Sequence, residues 1–383
     1  MVNRLDKISR LFVTCGQGLE PLLAEELAEL GFSEIYPGFR GVMVKAYHLE
    51  AVYRINYASR IGGRVLLPLS QFRCPDPNAL YHYAEAINWN QYLSPKHTFA
   101  IDANVTHPKL RNSLYAAQVV KDAICDQMRE KKGARPNVDT RDPDIQLNLY
   151  IRDGQATLSL DTSGLSLHKR GYRQETVEAP LQESLAAAFL RLAKYKGDEI
   201  MCDPCCGSGT LLIEAALIAS KTAPGYLRKN WGFMNLPDFS QQDWLKVKAE
   251  YDSQRITLSK GHFFGCDISQ GAVRASRINL RAAGFQDVVE IVQSDFREYT
   301  PPCSPNFVIT NPPHGQRLSN PAILQSFYRS LGDFLKRMTA KPARGFIFTG
   351  NLELAKEVGL AAERRYVINN SGIDSRLLEF DLY

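Results

Sequence analysis

The sequence contains no run of 18 apolar residues, so it predicts no helix that crosses a membrane. Its start, MVNRLDKISRLFVTCGQG, lacks the apolar stretch of a secretory signal peptide. Charge of one sign is not in large excess either, because 46 basic residues face 41 acidic ones and the net charge is +5. We therefore expect a cytoplasmic globular protein, for which an acidic partner is permitted but not required by charge.

A cysteine spacing typical of a structural metal site is also missing, although the chain has eight cysteines. Only Cys202, Cys205 and Cys206 lie close together in sequence. A structural zinc site needs four ligands, usually in two spaced pairs, and no second C-x-x-C is present. We therefore expect reduced cysteines and no bound metal.

The 383 residues are enough for two domains or more, and the first 165 predict two small α+β units. Apolar periodicity and glycine or proline breaks define the expected elements. In the first unit these are strands at 12–14 and 40–46 and helices at 19–30 and 48–60. In the second they are a strand at 98–105, a helix at 113–130 and a hairpin of 145–151 with 156–160.

Residues 179–383 alternate between strands and helices, which predicts a parallel sheet with helices on both faces. The expected strands are 199–203, 262–267, 288–293, 305–310, 344–349 and 376–383. The expected helices are 181–195, 209–220, 270–283, 322–338 and 353–361. Residues 221–260, rich in Pro and Trp, interrupt the alternation and are interpreted as an insertion after the first strand and helix.

The first of these strands is followed by a loop of small residues, DPCCGSGT, from Asp203 to Thr210. Small residues allow the backbone to approach a ligand, and open α/β sheets bind ligands at the carboxyl ends of their strands. The loop is not G-x-G-x-x-G, and no lysine follows Gly209 as in a P-loop. Because Asp203 would repel a pyrophosphate, the loop favours a ligand with an ammonium and a sulfonium group.

Two further acids follow the next strands. Asp267 ends the second strand, where an acid is placed to bind a ribose diol. Asp295 and Phe296 follow the third strand and could accept a hydrogen bond from an adenine amine and cover its ring. Each acid alone is more typical of a helix cap or a surface group, but three at successive strand ends indicate a nucleoside site.

The fourth strand ends in Asn311-Pro312-Pro313-His314-Gly315. Two prolines remove two N–H donors and fix the backbone, which leaves carbonyl acceptors in fixed positions beside the amide of Asn311. Two acceptors that hold the hydrogens of a planar NH2 group favour a tetrahedral, nucleophilic nitrogen. Alone, the motif could be an ordinary Pro-Pro turn, but with the three upstream acids it predicts a catalytic site.

These motifs resemble the class I methyltransferases of the N-P-P-Y type, and most closely the THUMP-containing guanine-N2 methyltransferases of 23S rRNA. The loop is DPCCGSGT, the ribose acid lies in GCDIS, the adenine acid in SDF and the catalytic motif is NPPHG. The most specific feature is the junction at Leu160–Arg173 followed by 179–186, which generic methyltransferases lack. Residues 370–373 and 376–378 are similar to the closing strands of the family.

The resemblance covers nearly the whole chain and implies three domains. Residues 1–70 would form a small ferredoxin-like unit and residues 71–165 a THUMP RNA-binding domain. Residues 166–383 would form a Rossmann-like domain that uses S-adenosylmethionine, with a mostly parallel seven-stranded sheet. Because some rRNA enzymes of this type are fused to a second methyltransferase, the end at Tyr383 predicts a form with one activity.

The resemblance also implies how S-adenosylmethionine would be held. Asp267 would bind its ribose hydroxyls, and Asp295 would accept from the adenine amine with Phe296 against the ring. Asn311 would lie beside the cofactor as well. The residues implied to hold the methionine part are Asp203, Cys205, Gly207, Ser208, Gly209 and Thr210.

Catalysis would rest on Asn311, Pro312, Pro313 and His314. Asn311 and the Pro312 carbonyl would orient the target amine. The family usually has an aromatic residue at the position of His314, where it stacks on a base flipped out of the RNA. Histidine can also stack, so we expect the same role from a smaller ring.

Basic residues in two segments are the candidate RNA contacts. The segment Lys109–Arg135 has seven basic and three acidic residues, which from the sequence alone is more typical of a solvated helix face. The implied THUMP domain makes RNA contact the interpretation to test. The candidates are Lys109, Arg111, Lys121, Arg129, Lys131, Lys132, Lys169, Arg170 and Arg173.

Ribosomal RNA is the favoured partner, and transfer RNA remains open. The same chemistry could serve an adenine amine in RNA or DNA, although a THUMP domain argues against DNA. An RNA-binding assembly factor with a decayed catalytic site is the alternative from another class.

Overall fold

The computed structural model describes residues 10–107, 109–110, 112–178, 180–313, 321–370 and 373–383. Within these ranges the chain builds two β-sheets, one of eight strands from the first 161 residues and one of seven strands from residue 201 onward. None of the helices described there is both long and apolar enough to cross a bilayer.

The N-terminal unit has the order strand, helix, strand, strand, helix, strand, which is the ferredoxin-like arrangement predicted above. Strand β4 pairs with β1 of this unit and with β8 of the next, so the two units share one sheet. The elements are β1 (Leu11–Thr14), α1 (Glu20–Glu29), β2 (Ile35–Gly38), β3 (Gly41–Val44), α2 (Leu49–Ala58) and β4 (Val65–Arg73).

The second unit completes the eight-stranded sheet, whose strand order is β2-β3-β1-β4-β8-β7-β5-β6. Its long helix α4 buries Ala116, Val120 and Ile124 against the sheet and ends at Gly133, which has a φ of 69°. A left-handed residue is the usual end of a helix. The elements are α3 (Pro77–Glu85), β5 (Thr98–Thr106), α4 (Ser113–Lys132), β6 (Asn137–Val138), β7 (Ile145–Arg152) and β8 (Gln155–Asp161).

The C-terminal sheet has the order β11-β10-β9-β12-β13-β15-β14, and only β15 runs antiparallel to its neighbours. This confirms the predicted mostly parallel seven-stranded sheet. Its strands are β9 (Met201–Asp203), β10 (Phe263–Asp267), β11 (Val289–Gln293), β12 (Phe307–Thr310), β13 (Ala343–Thr349), β14 (Arg364–Asn370) and β15 (Ile373–Leu382). Its helices are α5 (Glu183–Leu192), α6 (Thr210–Ala219), α7 (Gln241–Asp252), α8 (Gln270–Ala283), α9 (Pro321–Met338) and α10 (Leu352–Lys356).

The strand order of this sheet reverses at β9, which lies between β10 and β12. Loops that leave neighbouring strands at such a point separate to opposite faces and open a crevice at the carboxyl ends of the strands. The sequence motifs at the ends of β9, β10, β11 and β12 are therefore brought to one edge of the sheet.

Several elements differ from the sequence predictions. Strand β4, helix α3 and strand β14 were not predicted, and helix α10 ends five residues before the expected 361. The 221–260 insertion contains α7, which buries only Trp244 and Val247 and so carries little apolar periodicity. Pro68 lies inside β4, where the pairing with β8 shifts register between Pro68 and Ser70. Proline normally argues against a strand interior, which explains the missed element.

The N-terminal unit packs against the C-terminal half of the chain with polar contacts around α2. Arg54 Nη2 donates to Glu250 Oε2 on α7 at 2.8 Å, and the hydroxyl of Tyr57 donates to Asp252 at 2.6 Å. Arg60 Nη2 donates to the carbonyl of Thr222 at 2.8 Å. The 221–260 insertion therefore forms a contact surface for the N-terminal unit.

Candidate active site

The loop after β9 is shaped by two glycines. Gly207 and Gly209 have φ values of 53° and 81°, a conformation that L side chains rarely adopt. The backbone N–H of Gly207 donates to Asp267 Oδ2 at 2.9 Å, and a Cβ on Gly209 would lie 3.2 Å from Cβ of Ser276. The loop is therefore folded tightly against the end of β10 and the middle of α8.

The guanidinium of Arg173 holds this loop in place through hydrogen bonds and is not free at the surface. It donates to Ser208 Oγ and Thr210 Oγ1, both at 3.0 Å, and to Glu183 Oε1 at 2.9 Å. Asn279 on α8 adds a bond from its amide to the carbonyl of Ser208 at 3.1 Å. Four of the five N–H groups of Arg173 are thus used within the protein, with the carbonyl of Leu181 as the fourth acceptor, so the arrangement does not favour its predicted contact with RNA. Ser208 and Thr210 have side chains that hold the loop in shape.

Arg170, also predicted to contact RNA, is enclosed within the protein. Only 1% of this residue is exposed. Its guanidinium donates to the carbonyls of Leu167 and Arg60 and forms an ion pair with the buried Glu214 at 3.5 Å. A charge enclosed in this way cannot reach RNA, so the predicted RNA contact is wrong. Lys169 is exposed and stays a candidate.

Asp203 lies at the carboxyl end of β9 and is 1% exposed. Its Oδ1 accepts hydrogen bonds from Thr310 Oγ1 at 2.8 Å and from the N–H of Cys205 at 3.1 Å. Burial raises the pKa of Asp203 to about 7, although both hydrogen bonds oppose the shift. The bond to Thr310 ties the loop after β9, which is the predicted cofactor loop, to the end of β12, one residue before the predicted catalytic motif.

The other two acids have partners of their own. Asp267 accepts from the N–H groups of Gly207 and Ser269, both at 2.9 Å. Asp295 forms an ion pair with Arg297, whose Nε lies 2.9 Å from Oδ1, and this contact holds the pKa of the Asp295 carboxyl below its usual value. An adenine amine at Asp295 would therefore share the carboxylate with Arg297.

Phe296 is only 4% exposed. Its ring packs edge-on against Phe327 of α9 at 5.1 Å between centroids and also contacts Phe334 at 6.1 Å. The ring therefore belongs to the core beneath the crevice and offers little surface to a ligand.

Among the predicted catalytic residues that the structure describes, Asn311 has a side-chain group without a partner. Its Oδ1 is buried and has no hydrogen-bond partner within the described part of the chain. Pro312 is buried and Pro313 is exposed, directly after β12. A buried acceptor without a donor is costly unless a ligand supplies one. His314 lies outside the described residues.

The candidate RNA contacts on and just before helix α4 differ in their exposure and in their ion pairing. Lys131 and Lys132 are exposed, whereas Lys121 pairs with Asp122 at 2.6 Å and Arg129 pairs with an aspartate one turn away at 3.1 Å. Lys109 is exposed just before the helix, and Arg111 lies outside the described residues. The exposed cations at the end of α4 are thus the more available part of this set.

Two residues in the site were missed by the sequence analysis. Thr310 could have been found as the polar end of an otherwise apolar strand, FVIT, next to Asn311. Asn279 lies inside a helix and has no local signal, because its partners Gln174 and Ser208 are distant in sequence. Among the residues described, no three His, Cys, Asp or Glu side chains are grouped so that they could hold a metal ion.

Comparison with known families gives matches along almost the whole chain. Residues 170–378 match the model of the RMKL-like methyltransferase domain. Residues 75–161 match the THUMP domain, and residues 10–66 match the RlmL ferredoxin-like domain.

Individual proteins are similar over the same span. A protein from Syntrophotalea carbinolica named "Ribosomal RNA large subunit methyltransferase K/L" is 40% identical over 99% of this chain and 54% of its own length. One from Synechocystis sp. named "Putative RNA methyltransferase" is 36% identical over 97% of this chain and 96% of its own. The crystal structure of SMU.472 complexed with SAH has a TM-score of 0.87 at 27% identity and covers 97% of both chains. The chain thus spans about half the length of the K/L relative.

Proposed function

The chain belongs to the family with the RMKL-like methyltransferase domain, and from this premise we propose that it methylates the exocyclic N2 amine of a guanine in large-subunit ribosomal RNA. The methyl donor in this proposal is S-adenosylmethionine. The family predicted from the sequence motifs is confirmed, together with its ferredoxin-like unit and THUMP domain.

The unpaired Oδ1 of Asn311 is the observation that carries the proposal. It lies at the end of β12, beside Thr310, which is bonded to Asp203 of the cofactor loop. An amine placed here would donate the hydrogen bond that Asn311 Oδ1 lacks, and it would lie next to the loop after β9. The rigid Pro312-Pro313 segment supports the same role, because proline fixes the backbone whose carbonyls would take the second hydrogen of the amine.

The crevice fits S-adenosylmethionine by the chemistry of its side chains. Carboxylates follow three successive parallel strands, at Asp203, Asp267 and Asp295, and the buried Asp203 would be stabilised as an anion by an ammonium group. Gly207 and Gly209, both with positive φ, let the loop turn tightly at the carboxyl end of β9, where a ligand would approach its main chain. When bound, the cofactor supplies a methyl group on a sulfonium, an electrophile that needs no metal.

The protein's own contribution is orientation. Asn311 Oδ1 holds one hydrogen of the target amine, so the nitrogen lone pair turns away from the ring and toward the methyl group. As the C–N bond formed, the C–S bond of the sulfonium would break and leave S-adenosylhomocysteine. The acceptors would stabilise the positive charge on the nitrogen until one of its protons is lost to solvent. Fixed geometry and placed acceptors supply the rate enhancement, without a strong base.

RNA is the proposed substrate class because the THUMP domain and the exposed Lys131 and Lys132 lie on the same chain as this site. The name of the Syntrophotalea relative favours large-subunit rRNA, and the name of the Synechocystis relative specifies RNA alone. A flipped base is expected, since an amine in a helix is not accessible to a recessed crevice.

The test is methyl transfer from labelled S-adenosylmethionine to unmodified ribosomal and transfer RNA, followed by nucleoside analysis. Labelled N2-methylguanosine in large-subunit rRNA is the expected product. Label in transfer RNA or on adenosine would overturn the substrate assignment but keep the chemistry. Absence of both label and cofactor binding would support the assembly-factor alternative and refute the proposal.

A further inference from the structure

The N-terminal unit has one sheet face that lies opposite its helices. Successive side chains of a strand point to opposite faces, and the face toward α1 and α2 carries four fully buried side chains, Leu11, Val13, Val42 and Val44. Phe12 on β1, Tyr36 on β2 and Met43 on β3 therefore point the other way. We call this second face, defined by those three residues, the open face.

The three side chains of the open face form a row across the sheet. Phe12 pairs in register with Met43, and Met43 pairs in register with Tyr36. Neighbouring strands lie about 4.8 Å apart, so the row spans about 10 Å. Tyr36 is 58% exposed, and Phe12 and Met43 are partly buried. Gly41 leaves room for the Phe12 ring, whose Cζ lies 2.5 Å from the position that a Cβ on Gly41 would take. The row therefore offers a partly aromatic surface of about the width of a nucleobase.

A second exposed ring lies at the turn between β2 and β3. Phe39 is 54% exposed, and the guanidinium carbon of Arg152 from the second unit lies 4.2 Å from the centroid of its ring. A cation at this distance is attracted to the face of the ring. The Nε of Arg152 also lies 3.3 Å from a carboxylate oxygen of the exposed Asp153. Proteins that bind single-stranded nucleic acids combine aromatic rings and arginines in this way, so the turn is suited to contact a base.

The charges beside these rings are mainly positive. Arg10, just before β1, and Arg40, at the β2–β3 turn, are exposed, and neither forms an ion pair with another residue that the structure describes. Lys45, just after β3, is exposed and pairs with Glu34 at 2.9 Å. Exposed rings and unpaired cations on one surface favour a ligand that has both flat groups and negative charges. A nucleic acid has both, whereas an apolar protein surface has neither.

The open face points away from the C-terminal half, because ion pairs join that half to α1 and α2 on the other side of the sheet. One end of the face nevertheless lies near the carboxyl edge of the C-terminal sheet. The N–H of Cys15 donates to the carbonyl of Arg40 at 3.0 Å, and two residues later Gln17 accepts from the amide of Asn369 at 3.4 Å. Asn369 lies on the β14–β15 hairpin, past the carboxyl end of β13. RNA on the open face could therefore continue toward Asn311.

We propose that the open face binds a single-stranded segment of the RNA substrate. Bases stack on Tyr36 and Phe39, and phosphates lie near Arg10 and Arg40. The RNA-recognition motif binds bases in a comparable way, on aromatic side chains of a four-stranded sheet. A duplex keeps its bases paired and stacked inside, so the exposed rings select unpaired nucleotides. This assignment rests on the function proposed above, which makes RNA the substrate.

The test measures binding of fluorescently labelled RNA to the full chain by fluorescence anisotropy. The probes are a single strand of about 12 nucleotides without self-complementarity and the duplex that it forms with its complement. We expect Tyr36→Ala to raise the Kd for the single strand about five- to tenfold, the effect of losing one stacked base, and the Kd for the duplex less than about twofold. Tyr36→Phe keeps the ring and should keep the Kd of the wild type within about twofold.

Tyr383→Ala is the matched control, because Tyr383 is an exposed tyrosine on the C-terminal sheet, and it should leave both Kd values unchanged. An unchanged single-strand Kd in Tyr36→Ala, or an equal loss for single strand and duplex, would overturn the proposal. A wild-type dimer that Tyr36→Ala converts to a monomer in analytical ultracentrifugation would also overturn it, by assigning the face to a second copy of the chain. The proposed function fails separately: single-strand binding that depends on Tyr36, without methyl transfer to any RNA, would support the open face and refute the reaction.

Discussion

Cofactor affinity should depend on pH through Asp203. The pKa of this buried carboxyl is raised to about 7 in the free protein, so much of it carries a proton near neutral pH. The ammonium of the cofactor favours the carboxylate form, so binding should release that proton. Affinity therefore rises as pH rises toward and past 7, and falls in acid.

The magnitude follows from the fraction of Asp203 that is ionised. With a pKa of about 7, about one-tenth is ionised at pH 6 and about three-quarters at pH 7.5. Affinity should rise roughly eightfold over that interval, and binding at pH 7 should release about half a proton. The raised pKa corresponds to a cost of about 4 kcal/mol for ionising this side chain in the free protein, which the ammonium must offset.

The stability of the free protein should show the opposite trend. The folded state keeps the Asp203 proton up to about pH 7, whereas the unfolded chain loses it near 3.8. The contribution to stability is complete below the lower value and is lost as pH rises through the higher one. The melting temperature should thus fall more steeply from pH 5 to 8 in the wild type than in Asp203→Asn.

The assay is calorimetric titration with S-adenosylhomocysteine at pH 6 and 7.5, in two buffers of different ionisation enthalpy. Asp203→Asn is the matched variant, since its Oδ1 can still accept from Thr310 and Cys205. We expect the variant to bind more weakly and without proton release. A wild-type affinity that does not change with pH, or an equal pH dependence in both proteins, would refute the reasoning.

Three further outcomes are expected. Arg170→Met should lower the free energy of unfolding by about 3–5 kcal/mol in urea denaturation, because it leaves Glu214 buried without its cation, and a loss below about 1 kcal/mol would contradict this. Arg173→Ala should raise the Kd for S-adenosylhomocysteine about tenfold by freeing the cofactor loop, whereas an unchanged Kd would show that the loop needs no brace. Replacing both Lys131 and Lys132 with Ala should reduce the slope of log Kd for RNA against log salt by about 1.4, and an unaltered slope would exclude both as phosphate contacts.

The positions of the site motifs could be predicted because they depend on local patterns. Asp203, Asp267 and Asn311 each end an apolar strand or follow it directly, and parallel strands bring such ends to one edge. The sequence therefore indicated which residues meet, without any knowledge of the distances between them. It also predicted the sheet and most helices from their apolar periodicity.

The roles of the basic junction residues could not be predicted in this way. Arg170 and Arg173 occur in a polar segment, HKRGYR, whose composition suggests a surface. Glu214, the partner of Arg170, is 44 residues away, and Arg173 contacts side chains of the cofactor loop more than 30 residues away. Only tertiary packing decides that these cations are enclosed.

The most direct test of the central claim is single-turnover methyl transfer by Asn311→Ala with saturating S-adenosylmethionine and unmodified large-subunit rRNA. The account predicts a rate about 10²–10³-fold below that of the wild type, because the variant removes the acceptor that orients the target amine. Saturation ensures that any weaker cofactor binding does not enter the rate. A near-normal rate would contradict the assignment of Asn311 and, with it, the proposed site of methyl transfer.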